Sequence, residues 1–108
     1  MKISVIIPCY NEEKFINRIV DDILKKNKDL SLEIIVIDDA SKDKTQEIIN
    51  ELKDKKIINK ALFNETNKGK GFCIRRGIDV SNGDIIIIQD ADLEYDPSEY
   101  KKLLNPIL

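Results

Sequence analysis

An α/β fold, a mostly parallel sheet with helices on both faces, is what this 108-residue sequence predicts. Three observations carry that reading. Runs rich in β-branched residues occur at 3–8, 32–37 and 85–88, and unbroken apolar runs of that length belong to strands buried on both sides. Between them lie segments whose apolar residues recur every three or four positions, the spacing of a helix with one buried face. Strand and helix alternate, which sets the strands parallel and lays the helices over them.

The first strand, residues 3–8, is closed by Pro8. Asn11 is expected to cap the next helix, with Glu12 and Glu13 at its positive first turn. Phe15, Ile16, Ile19, Val20, Ile23 and Leu24 form its apolar stripe up to the lysines near Asn27. The second strand, 32–37, ends in Asp38 and Asp39. Ser41 or Asp43 can cap the following helix, whose inner face carries Ile48, Ile49 and Leu52. Residues 57–63 read as a weaker strand, followed by a loop over 64–71 and a short helix over 72–80. Ser81, Asn82 and Gly83 have the chemistry of a helix-ending turn. Residues 85–89 read as the strongest strand, with Asp90 at its end. A last helix is expected to open at Pro97, with Asp96 as its cap. No repeat, linker or low-complexity tract interrupts the pattern, so residues 1–108 read as one domain.

Composition narrows the chemistry. Lysines and arginines number 18 against 20 acidic residues, a net charge of −2, and no basic field points to nucleic acid. With no histidine, a histidine triad and a zinc–histidine site are excluded from the chain. Cys9 and Cys73 are too few for a cysteine zinc cluster and read as two small buried thiols. The apolar runs are far shorter than the roughly 18 residues of a membrane span, and no secretory signal is visible, so the expected location is cytoplasmic.

Ligands of parallel sheets bind beyond the carboxyl ends of the strands. Three strands here end in polar or acidic clusters: Tyr10, Asn11 and Glu12; Asp38 and Asp39; Asp90, Ala91 and Asp92. Asp90 and Asp92 at a strand end suit Mg²⁺ or Mn²⁺, with Glu94 as a further oxygen donor or a solvated loop residue. Asp38 and Asp39 could accept hydrogen bonds from a base or a ribose, or serve as turn residues. Gly69 and Gly71 let backbone approach a ligand and Lys70 offers a point charge for a diphosphate, or the glycines simply turn the chain. Arg75 and Arg76 read as helix-surface charges. A dinucleotide fingerprint starting at Gly69 fails at its third small position, which is Ile74.

Four segments, SVIIPCYNEE (4–13), EIIVIDDASKDKT (33–45), NKGKGFCIRRGI (67–78) and GDIIIIQDADLEYDP (83–97), resemble family 2 glycosyltransferases in order and spacing. Within the family they are most similar to the dolichyl- and undecaprenyl-phosphate sugar transferases. The resemblance implies the N-terminal half of a Rossmann-like GT-A fold that binds a UDP- or GDP-sugar. Pro8, Tyr10 and Glu12, with Asn11 between them, would belong to the nucleotide site, and Asp38 or Asp39 would hold the base or ribose. Asp90, Ala91 and Asp92 would form the D-x-D motif carrying metal and donor diphosphate, with Asp90 and Asp92 as the catalytic carboxylates. Glu94 stands where a metal-holding glutamine often occurs. The acceptor would be a polyprenyl phosphate at a membrane, and a longer form would work on its cytoplasmic face.

Family members continue well beyond this length, so their acceptor-binding part would lie after residue 108. Leu103, Leu104, Ile107 and Leu108 are then candidates for an uncovered apolar face and for self-association into a homo-oligomer. The alternative function is a nucleotide-binding module without catalysis of its own.

Overall fold

The computed structural model describes residues 1–91, so the expected helix at Asp96 and Pro97 lies outside the described residues. Seven elements follow in order: β1 (Lys2–Cys9), α1 (Ile16–Lys26), β2 (Ser31–Asp38), α2 (Thr45–Asp54), β3 (Lys60–Phe63), α3 (Lys70–Val80) and β4 (Ile85–Ile88). The strands form one sheet in the order β3-β2-β1-β4, and every pairing is parallel. Ile6 of β1 pairs with Ile35 of β2 and Ile88 of β4, which brings three strand ends to one rim.

Alternation along the strands sorts the core into two layers. Ile3, Val5, Ile7, Ile34 and Val36 pack with Ile16, Ile19, Val20 and Ile23 of α1 and Ile49 and Leu52 of α2. On the opposite face, Ile6, Ile35 and Ile37 pack with Cys73 of α3. Full burial of such an aliphatic side chain is worth roughly 1.5–3 kcal/mol, so the two layers dominate stability. The helix α3 comes so close that a Cβ on Gly77 would lie 2.7 Å from Ile6 Cγ2 and 2.9 Å from Ile37 Cδ1.

Several expectations change in detail. The third strand begins at Lys60, because Lys56 turns the chain in a left-handed conformation (φ 59°) and buried Ile58 plugs the α1/α2 layer. Asn11 does not cap α1; Phe15 holds that position without a side-chain cap, and Asn11 accepts a hydrogen bond from the Lys42 N–H at 2.8 Å. Neither Ser41 nor Asp43 is the residue immediately before α2, which is Lys44. Asp43 nevertheless accepts from the Thr45 N–H at 2.9 Å, satisfying a donor of the first turn. Ile48 is only partly buried, α3 starts two residues earlier than expected, and β4 stops at Ile88. Ile86 is 39% exposed, so β4 is not covered on both faces among the described residues.

One buried polar cluster was not anticipated. Glu33 of β2 is 3% exposed and accepts from Ser4 Oγ and the Asn82 N–H, each at 2.8 Å, and pairs with Lys60 Nζ at 3.2 Å. Ser4 Oγ in turn accepts from the Gly83 N–H at 2.8 Å, and Lys60 Nζ also donates to the Val80 carbonyl. Burial acts to raise the Glu33 pKa, but the donors from Asn82, Ser4 and Lys60 outweigh it and bring it down to about 2. These bonds tie the exit of α3 and the entry of β4 to the amino-terminal half of the sheet.

Candidate functional site

From β1 the chain runs through α1 to β2 and on to β3, then returns through α3 on the opposite face to β4 on the other side of β1, so the strand order diverges between β1 and β4. That divergence opens a crevice beyond their carboxyl ends, the usual ligand position in open α/β sheets. A cleft of about 220 Å³ occupies it. Of the residues singled out from the sequence, Pro8, Tyr10, Glu12, Asp39, Lys70, Asp90 and Ala91 line this cleft. They come from the ends of three strands and the first turn of α3, up to 83 positions apart in the chain. Asp92 and Glu94 lie outside the described residues.

Asp39 is 5% exposed and organises the entry to α3. Its Oδ1 accepts from the Lys68 N–H at 2.7 Å and Asn64 Nδ2 at 2.9 Å, and its Oδ2 accepts from the Gly69 N–H at 2.9 Å. Gly69 stands before the helix with φ 95°, a conformation that favours glycine. Asn64 Oδ1 accepts from Arg76 Nη1 at 2.7 Å, so Arg76 is not a bare surface charge but braces the residue that holds Asp39. Burial acts to raise the Asp39 pKa, while the bonds from Lys68, Asn64 and Gly69 prevail and hold the carboxyl below its ordinary value.

Asp38 and Asn11 do not line the cleft. Asp38 is fully buried and accepts from the Ser41 N–H at 3.0 Å, Ser41 Oγ at 2.5 Å and Gln46 Nε2 at 2.9 Å. The turn reading of the acidic pair therefore describes Asp38, and Asp39 is the member that reaches the cleft. Asn11 adopts φ 54° and clamps the loop after β1 to the loop after β2. Ser41 Oγ accepts from the Asn11 N–H at 2.8 Å and Thr45 Oγ1 from the Glu12 N–H at 2.9 Å, which fixes Tyr10 and Glu12 at the rim.

Asp90 and Lys70 face each other across the cleft in an ion pair between Nζ and Oδ1. The Asp90 side chain is 14% exposed and that of Lys70 56%. A divalent metal of the Mg²⁺ or Mn²⁺ type requires a hard anionic oxygen open to a cation, and Asp90 Oδ1 already receives one in the Lys70 ammonium. Among the described residues no group of three acidic or cysteine side chains could hold a metal ion, so of the expected donor set only Asp90 is placed, as one hard oxygen donor.

Cys9 and Cys73 also line this cleft, and no local pattern signals it, because a buried thiol reads as a small core residue wherever it falls. Burial above all, then the charge of Asp38, raises Cys9 well above its ordinary value. Burial and the charge of Asp39 push Cys73 up to about 11. Both are protonated at neutral pH and contribute shape, not nucleophilicity. Asn64 and Arg76 were missed for a different reason: they act through Asp39, from 25 and 37 positions away.

The sequence model of the family described as Glycosyl transferase family 2 matches residues 4–108. A dolichol-phosphate mannosyltransferase from Pyrococcus furiosus is 36% identical over 107 residues, covering 99% of this chain and 30% of the relative. Among solved structures, TarS 1-349 from S. aureus in complex with UDP-GlcNAc superposes with a TM-score of 0.78 at 29% identity, covering 98% of this chain and 30% of that one. The mannosyltransferase PcManGT from Pyrobaculum calidifontis, in complex with GDP-Man and Mn²⁺, gives 0.79 at 26% identity over 97% of this chain and 31% of that one. The fold is thus the Rossmann-like GT-A fold of glycosyltransferases. The chain spans about a third of the length of the proteins it matches.

Proposed function

We propose that this chain, which belongs to glycosyl transferase family 2, binds a nucleoside-diphosphate sugar with a divalent metal and serves sugar transfer to a polyprenyl phosphate. The observation that carries the reading is the cleft at the strand ends, where an anionic carboxylate, Asp90, and a cationic ammonium, Lys70, stand together above the Asp39-anchored loop. A diphosphate with its metal needs that pair of opposite charges. The dolichol-phosphate mannosyltransferase among the relatives supports the lipid-phosphate acceptor, and the GDP-Man, Mn²⁺ and UDP-GlcNAc complexes support the donor and the ion.

In the reaction an acceptor phosphate oxygen bonds to the anomeric carbon as the bond from that carbon to the diphosphate breaks. The electron pair leaves with the nucleoside diphosphate. Bound Mg²⁺ or Mn²⁺ supplies neutralisation of the charge developing on that leaving group. Asp90 would hold the ion, with Asp92 and Glu94 completing the donor set, and Lys70 would bind the diphosphate. Pro8, Tyr10 and Glu12 would line the nucleotide, with Asp39 presenting the loop, and the base or ribose, from beneath. A phosphate acceptor is already anionic at neutral pH, so with that acceptor a dedicated general base would be dispensable, whereas a hydroxyl acceptor would need one.

Calorimetric titration with UDP- and GDP-sugars, with and without Mn²⁺ or Mg²⁺, tests the proposal. Metal-dependent binding of one nucleotide class is expected; no binding of either class under any condition overturns it. This chain alone should bind donor but transfer slowly or not at all, since acceptor positioning can be worth ~7–11 kcal/mol of a barrier. Absence of transfer to a polyprenyl phosphate in a longer form as well would favour the alternative, a non-catalytic nucleotide-binding module. A lipid acceptor would put the work of a longer form at a membrane, its cytoplasmic face being the proposed side; among the described residues no helix is long and apolar enough to cross a membrane. Self-association through Leu103, Leu104, Ile107 and Leu108, which lie outside the described residues, is read by light scattering.

A further inference from the structure

Asp90 sits at the mouth of the cleft with most of its carboxylate shielded from water, and an unpaired charge there is costly. Lys70 removes that cost by placing its ammonium on Oδ1. The backbone that carries Lys70 is fixed: Asp39 accepts from the Gly69 N–H at 2.9 Å, and the Gly69 carbonyl accepts from the Cys73 N–H at 3.2 Å. The ammonium, by contrast, ends a flexible four-carbon stem and is more than half exposed. It can therefore change partner by side-chain rotation alone, with the loop and helix held in place.

We infer that Lys70 is an internal counter-ion for Asp90, keeping divalent metal off that carboxylate until a nucleoside diphosphate draws the ammonium away. The inference rests on the donor reading above and adds an order of assembly to it. For the ammonium a diphosphate of two or more charges outcompetes the single carboxylate of Asp90. The ammonium's departure leaves Asp90 without a counter-charge in a shielded position, where a divalent ion replaces it. Metal and nucleotide then strengthen each other reciprocally, because each removes an obstacle to the other. A cleft without nucleotide is correspondingly poor at holding the metal.

The test is a Mn²⁺ titration, read by the electron paramagnetic resonance of the free ion, on the 108-residue chain without nucleotide and then with GDP or UDP. Lys70→Met should bind Mn²⁺ about five-fold or more tightly than the parent chain in the absence of nucleotide, the lower range of ordinary coupling between sites. Lys68→Met removes a charge from the same loop without touching the pair, and should change the affinity by less than about two-fold, since exposed charges are screened. Added nucleotide should tighten Mn²⁺ binding more in the parent chain than in Lys70→Met. Equal or weaker nucleotide-free affinity in Lys70→Met overturns the counter-ion, as does an equal gain in Lys68→Met, which would mark a general field effect. If the counter-ion alone fails, Mn²⁺-dependent GDP or UDP binding survives in both variants. If neither nucleotide binds any of the three proteins, the donor reading fails and takes the counter-ion with it.

Discussion

Glu33, near the amino-terminal end of β2, and Asp90, just past the carboxyl end of β4, are both paired with a lysine, yet their surroundings differ. Glu33 is enclosed by Ser4, Asn82 and Lys60, whose positions are set by three different parts of the sheet and its connections. Asp90 meets the tip of one long side chain at the edge of an open cleft. A carboxylate surrounded by fixed donors has no capacity left for a ligand and holds the fold together. A carboxylate held by a movable cation keeps that capacity, because the cation can be exchanged.

The largest effect should come from the enclosed one. Glu33→Ala leaves Lys60 without its counter-charge and strands the Ser4 hydroxyl and the Asn82 N–H, a loss of about 3–5 kcal/mol for breaking a buried pair. Urea unfolding reads that loss directly. The acid limb should move with it. In the native state the Glu33 pKa is held down to about 2 from an ordinary 4.5, so its contribution is complete above pH 4.5 and fades as the pH falls toward 2. The parent chain should therefore lose stability over that window more steeply than the variant. Parallel pH profiles for the two would show that the cluster is not the structural half of the comparison.

Asp90→Asn should behave in the opposite way. The side chain meets a half-exposed lysine, so stability should shift by no more than about 1 kcal/mol. Metal-dependent nucleotide affinity should fall ten-fold or more, since a charged ligand contact is worth ~1.5–3 kcal/mol. Asp92→Asn should do the same. Calorimetry giving equal affinity for parent and both variants in saturating Mn²⁺ would sink the assignment of the rim to metal.

What could be read from the sequence follows the same division. The parallel sheet and its rim were legible because they depend on local pattern: the isoleucine-rich runs of β1, β2 and β4, and polar residues placed directly after them. Tyr10, Asp39 and Asp90 could be brought together from topology alone. The Glu33 cluster was hidden by its range. Glu33 meets Ser4, 29 positions before it, and Asn82, 49 positions after it, and nothing local links them. A lone glutamate inside an apolar strand was the available signal, since a buried charge requires a partner. Asn11 misled for a related reason. Its residue type suits a helix cap, but a partner on another loop, the Lys42 N–H, outcompeted the local role. The exposure of Ile86 is likewise tertiary: four isoleucines in a row say that a strand forms, not what covers each face.

Asn11 provides the smallest of these tests and bears on where the functional half of the molecule stops. Its side chain bridges two loops at the rim, and its backbone is left-handed at φ 54°, a conformation asparagine tolerates better than alanine. Asn11→Ala should lower stability by about 1 kcal/mol, from one exposed hydrogen bond and the backbone preference together. Asn11→Gly loses the same bond but not the backbone freedom, and should cost less. Because Asn11 does not line the cleft, nucleotide affinity in both variants should stay within about two-fold of the parent chain, an effect below ~0.5 kcal/mol. Urea midpoints and calorimetric affinities measured on the same preparations separate the two roles. If Asn11→Ala lost ten-fold in nucleotide affinity with its unfolding midpoint unchanged, the side chain would have to leave Lys42 for the nucleotide. The rim would then contain a second exchangeable group beside Lys70.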